Sequence, residues 1–220
     1  MGAKTFFAIG ISVALCSAAL SSLRADDAKA SKVDDEGFIR NWLVLGPISV
    51  DGKVQDHTED ACKEFLDKEY FSGQKDAKPK ADDKASVGGS DMTWKAVDAD
   101  DAILDTNKVA TDQGKETDNS VFLGTAYIVV PNDLADVRLA IGSDDDSLWR
   151  VNGKEMIRVY AARAAERDTD KSDALMLKQG MNIVTFTLIN GNGPSGVCAR
   201  FLDKDDKPVT GLTVALEPAK

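Results

Sequence analysis

A chain of 220 residues, 43% hydrophobic and 29% charged with only 6 prolines, is long enough to bury a core and too apolar to be disordered throughout. Its formal net charge of -10 excludes a nucleic-acid partner, because neutralising phosphates takes clustered lysine and arginine. An acidic surface suits solubility and cation binding.

Lys4 opens the chain with a positive charge, residues 6–20 form an apolar run, and Leu23-Arg24-Ala25 ends it on a small residue. This pattern predicts a signal peptide over 1–25 and a secreted, periplasmic or cell-envelope protein beginning near Asp26. The run is shorter than the ~20 residues of a spanning helix, so no stable membrane span is expected after cleavage. Loss of Lys4 and Arg24 lowers the 27 basic residues to 25 against 37 acidic ones, a formal charge of -12. Cys16 leaves with the leader, and Cys62 and Cys198 remain. In an oxidising compartment these two either pair as a disulfide or stay as separate buried thiols.

Residues 26–36 are charged and aperiodic, which predicts a flexible lead. Residues 38–50 read as the first strand, with Trp42 to Leu45 too continuously apolar to face solvent and Gly46-Pro47 as terminator. A helix is predicted over 58–71. Ala61, Cys62, Phe65, Leu66 and Tyr70 share one face, Thr58 is placed to cap it, and Glu59 and Asp60 sit where the helix dipole favours acids. Residues 72–91 carry Lys, Asp, Gly and Pro without periodicity and are expected to form a mobile loop.

The second half reads as β throughout. Strands are expected around Trp94 (92–97) and over 121–130, with Ile103-Leu104 a short apolar patch in an acidic loop. Val137, Leu139 and Ile141 alternate until Asp144, Asp145 and Asp146 interrupt them. Trp149 and Val151 then resume the pattern before Asn152-Gly153, the residues a type I′ hairpin turn needs. Further strands are expected at 156–159, 175–177, 183–189, 197–202 and 212–216. Short strands with one helix near 58–71 predict a mainly β protein, a single antiparallel β-sandwich over 37–220.

Chemical motifs are sparse. The single histidine, His57, excludes a multi-histidine zinc site and lies in a polar stretch with no evident catalytic partner. Asp144, Asp145 and Asp146 are oxygen ligands of the kind calcium takes, and acids of the same kind also fix turns through their own backbone. Trp42, Trp94 and Trp149 lie within apolar strands and are expected in the core. A candidate ligand site is formed by Arg158, Arg163, Asp168, Asn190 and Asn192, which gather forked donors, an acceptor and amides on loops. No phosphate-binding loop, dinucleotide fingerprint or CxxC is present.

The stretches FIRNWLVLGPI, IGSDDDSLWRVNGKEMI and ALMLKQGMNIVTFTLINGNG together resemble galactose-binding-like jelly-roll domains of secreted bacterial proteins. The middle stretch is shared in outline with lectin domains of the protective-antigen type. The resemblance implies a non-catalytic sandwich working beside glycan-processing enzymes, with glycan as partner and structural calcium as the conceivable cofactor. Two departures stand out. Pro194-Ser195-Gly196-Val197-Cys198 brings no aromatic after the Gly-rich loop, and a third aspartate replaces the glycine of Asp-Asp-Gly. The expected function is therefore a secreted, non-catalytic, carbohydrate-binding module. Its rival is a structural or protein-interaction domain of an envelope assembly that binds no sugar.

Overall fold

A computed structural model describes residues 1–2 and 30–218. Apart from its first two residues, the expected leader, with Cys16, lies outside the described residues, as does the start of the expected lead. The strands in chain order are β1 (Ser31–Lys32), β2 (Asn41–Ser49), β3 (Lys84–Val87), β4 (Ser90–Thr93), β5 (Lys95–Asp98), β6 (Leu104–Asp105), β7 (Ser120–Val130) and β8 (Leu134–Asp144). They continue as β9 (Ser147–Val151), β10 (Lys154–Val159), β11 (Asp170–Lys171), β12 (Leu175–Leu177), β13 (Gly180–Asn190), β14 (Gly196–Leu202) and β15 (Thr213–Ala215). Two helices accompany them, α1 (Glu59–Asp67) and α2 (Thr106–Thr111).

The strands form an antiparallel sandwich. An eight-stranded sheet runs β1-β15-β7-β13-β9-β10, with β2 joined to β7 and β5 joined to β2. One edge of β7 is shared, with β2 pairing along 120–125 and β15 along 127–129. The opposing five-stranded sheet runs β11-β8-β14-β6, with β12 also on β8. The core lies between the sheets, where Phe122, Ala126 and Ile128 of β7 meet Val137, Leu139 and Ile141 of β8 and Val197, Ala199 and Phe201 of β14. Period-2 geometry then sends Val121, Leu123 and Tyr127 to the outer face of the larger sheet. Their burial there explains why β7 reads as unbroken apolar sequence: both faces are covered.

Helix α1 provides much of that outer cover. The Thr58 hydroxyl accepts from the Ala61 N–H, and Ala61, Cys62, Phe65 and Leu66 pack onto the sheet. The helix ends at Asp67, short of the expected 71, because Lys68 turns extended; Tyr70 still packs inward and its hydroxyl donates to the Phe65 carbonyl at 2.9 Å. Trp42, Trp94 and Trp149 are all buried. Trp42 and Trp149 meet edge-on at 6.1 Å, and Phe186 lies 5.2 Å from each. Asn152 and Gly153 both take positive φ and close the β9–β10 hairpin as a type I′ turn requires.

Further expectations need correction. Gly46-Pro47, expected to terminate the first strand, only shifts its register, and β2 runs on to Ser49. Residues 72–91, expected as a loop, carry a 3-10 turn (Gln74–Asp76), β3 and the start of β4, and β3 pairs with β4 in a hairpin. Ala85 is buried, so backbone pairing around one anchored side chain replaces the missing alternation. Within the expected lead, Ser31 and Lys32 pair with Val214 and Thr213. The acidic loop around Ile103-Leu104 holds β6 and a second helix, α2, whose start Asp105 caps by accepting from the Lys108 N–H.

Candidate functional site

The acidic turn between β8 and β9 gathers the densest buried polar cluster. Asp145 and Asp146 are 6% and 0% exposed, which only works because protein donors meet their oxygens. Asp145 accepts from the N–H groups of Arg163 at 3.3 Å and Gly191 at 3.1 Å. Asp146 accepts from the Ala161 N–H at 2.9 Å through one oxygen, while the other lies 2.7 Å from His57 Nδ1 and 3.4 Å from Cys62 Sγ. Beneath them Ser147 donates to Ser143, Ser143 donates to the Asp145 carbonyl, and Trp149 Nε1 donates to Ser147. The Asp144 and Asp145 carboxyls adjoin, and Asp145 and Asp146 both face the His57 ring. Among the described residues, no group of three or more His, Cys, Asp or Glu side chains is arranged to hold a metal ion.

His57, in a stretch that reads as merely polar, is the hub that sequence reasoning missed. It follows a short 3-10 turn (Gly52–Asp56) capped by Asp51, and its ring reaches across to the acidic turn. A Cβ at Gly191 would come within 2.8 Å of that ring, so the glycine lets the Gly-rich loop close over it. Cys, His and Asp adjoin here as they do in a thiol enzyme, but the wiring is inverted. Burial, and then the Asp146 charge and hydrogen bond, push the Cys62 thiol up to about 12. A carboxylate beside a sulfur opposes the thiolate that nucleophilic chemistry needs. Asp144 is also perturbed: burial, then the neighbouring Asp145, raise its carboxyl to about 6.

The five residues expected to bind ligand do not gather at one place. Arg163 and the Asn190–Gly191 backbone meet at the acidic turn, where Arg163 donates to Ser143 and pairs with Asp170 at 2.5 Å. Asn190 donates to the Thr117 carbonyl, and Asn192 is exposed. Arg158 is held by Glu155 and by Asp67 at the end of α1, and Asp168 is paired with Arg200, which stacks on Phe38. Cys62 and Cys198 are both free, one in the outer cluster under α1 and the other against Phe38 and Ala102 on the far sheet. The alternative of two separate buried thiols, rather than a disulfide, describes them.

A second site was not visible in the sequence. A groove of about 930 Å³ opens on the outer face of the larger sheet, between residues 66–78 and the β9–β10 turn. Strand register puts Thr125, Thr185 and Arg150 side by side on its floor. None of these three side chains makes a hydrogen bond or ion pair with another described residue. Arg150 is half-buried, and burial holds its guanidinium below the ordinary arginine value. Phe71 contributes a partly exposed ring to the wall, edge-on to Trp94 at 6.3 Å.

No family model and no curated protein matches the chain. Among solved structures it is similar to a β-glucosidase from Kluyveromyces marxianus, at 15% identity and a TM-score of 0.36, over 53% of this chain and 15% of that one. It is similar to an anti-sigma factor domain-containing protein from Clostridium clariflavum, at 18% identity and a TM-score of 0.37, over 66% and 51% of the two chains. It is also similar to a PA14 sugar-binding domain from an RTX adhesin, at 13% identity and a TM-score of 0.37, over 80% and 95%. The chain thus spans well under two thirds of the first two. The sandwich assignment rests on the strand pairing and the core described above.

Proposed function

We propose that the chain is an exported, non-catalytic carbohydrate-binding module that acts beside glycan-processing or envelope proteins and takes its saccharide in the outer-face groove. The observation that carries this reading is the row Thr125–Thr185–Arg150, polar groups held in register on a groove floor without a hydrogen bond or ion pair to another described residue. Hydroxyls and a guanidinium match the donors and acceptors of a sugar, and Phe71 supplies the ring that the Gly-rich loop lacks. The signal-like pattern of Lys4 and residues 6–20, expected to direct export, supports this reading, and no helix among the described residues is long and apolar enough to cross a membrane. The buried, protonated Cys62 supports binding without catalysis.

NMR titration with a panel of neutral and charged oligosaccharides tests the reading. Affinity near millimolar, about -4 kcal/mol, is expected for a site built mainly of exchanged hydrogen bonds. Shifts are expected at Thr125, Thr185 and Phe71 and are expected to shrink in Thr185→Val. A flat response across the panel would overturn the reading in favour of a protein-interaction domain.

A further inference from the structure

The charges around the groove are arranged unevenly. The two carboxylates nearest Arg150 are Glu155, opposite it across the β9–β10 register, and Asp67 at the end of α1. Both are already taken by the neighbouring arginine: Arg158 grips Glu155 at 2.7 and 2.9 Å and Asp67 at 2.6 Å. Arg158 thereby ties the sheet to the groove wall, and Arg150, though within the field of both acids, gives no hydrogen bond to another described residue. A half-buried guanidinium in that state has lost hydration without gaining a hydrogen-bonded partner.

The surroundings point the same way. On a chain with a formal charge of -10, the groove lining carries Lys68, Lys75 and Lys78 in addition to Arg150. Against these four cations stand Asp67, Glu69 and Asp76, a net charge of +1 for the lining, and Arg158 is shared between Asp67 and Glu155. None of the three lysines makes an ion pair with another described residue, although Lys68 lies over the Tyr70 ring at 5.4 Å. The groove lining is thus slightly positive in an acidic protein, which favours an anion there over the rest of the surface.

We propose that the groove selects acidic saccharides, with the guanidinium of Arg150 taking a sugar carboxylate and the hydroxyl of Thr185 taking the adjoining residue of the chain, while Thr125 lies almost covered beside it. This rests on the carbohydrate-binding reading above and adds to it the class of glycan. The planar fork of arginine matches a carboxylate through two parallel N–H···O bonds, a geometry that neutral hydroxyls cannot reproduce. One strand spacing, about 5 Å, separates Thr185 from Arg150, which suits neighbouring groups of a saccharide laid across the strands.

The test compares a uronic-acid tetrasaccharide with its methyl ester, which keeps the sugar chain and removes the charge. Binding of tetragalacturonate and of its ester is measured by NMR titration at low salt, for the full mature chain and for Arg150→Lys and Arg150→Gln. The acid is expected to bind the wild type at least about tenfold tighter than the ester. Arg150→Gln should erase that ratio, because it removes the charge that tells acid from ester; Arg150→Lys, which keeps the charge without the planar fork, should keep part of it. Equal affinity for acid and ester, or a preference that survives Arg150→Gln, would overturn this inference and leave the carbohydrate-binding reading intact. Failure of both acid and ester to bind, together with a flat neutral panel, would overturn the two together.

Discussion

His57 Nδ1 lies 2.7 Å from Asp146 Oδ2, joining the turn that precedes α1 to the acidic turn 89 residues further along the chain. A carboxylate oxygen only accepts, so Nδ1 carries the proton, and Nε2 points toward Asp145 at 3.8 Å. This pair fastens the outer helix to the sandwich at the end where the Gly-rich loop crosses.

His57→Ala should therefore destabilise the protein. It removes one partner from a carboxylate that is fully buried, a change that costs about 1–3 kcal/mol. Denaturant unfolding is the measurement, and His57→Asn, which can restore a donor to Asp146, should recover part of the loss. A His57→Ala variant as stable as the wild type would show that the contact is incidental.

Asp144 should make stability depend on pH in the direction opposite to an ordinary ion-paired acid. Its carboxyl is raised to about 6 from a usual 3.8, so the native state holds the proton more tightly than the unfolded chain does. Its contribution is fully present below about pH 4 and is lost as pH rises through about 6. The lowered carboxyls of Asp101, Asp133 and Glu155 act in the reverse sense, so the informative quantity is the difference between wild type and Asp144→Asn. The variant should gain stability relative to wild type between pH 4 and 7, and a flat difference would place the Asp144 titration elsewhere.

The thiols should be silent in the native state. Burial raises Cys198 to about 11 and Cys62 to about 12, so neither forms appreciable thiolate at pH 8. A thiol-reactive chromophore should find no rapidly reacting group in the folded, unreduced protein and both cysteines after denaturation. A denatured, unreduced chain without free thiols would mean that the two had paired.

Much of the fold was written locally. The stretch through β8, β9 and β10 was legible because alternation, a charged break and Asn-Gly each act over a few residues. The β3–β4 hairpin was not, since only Ala85 is fully buried and the strands are held by backbone pairing. Helix α2 was missed because it buries little beyond Thr106, Val109 and Ala110. The groove was hidden for a different reason. Thr125, Thr185 and Arg150 look like ordinary outward positions of separate strands, and only the pairing register between distant segments makes them neighbours. His57 was passed over on the same ground, its partner lying far along the chain.

Strand β7 takes its neighbours from three remote segments: 41–49 and 213–215 along one edge and 180–190 along the other. None of these can be recruited until long loops have closed, so the entropy of closure is met before the contacts that offset it are made. The expectation is a slow folder, on the order of milliseconds to seconds, whose rate follows topology more than stability. Until 180–190 arrives, β7 presents one of the most apolar strands of the molecule with an unpaired edge, and the crowded, unfolded chain is most exposed to aggregation in that interval.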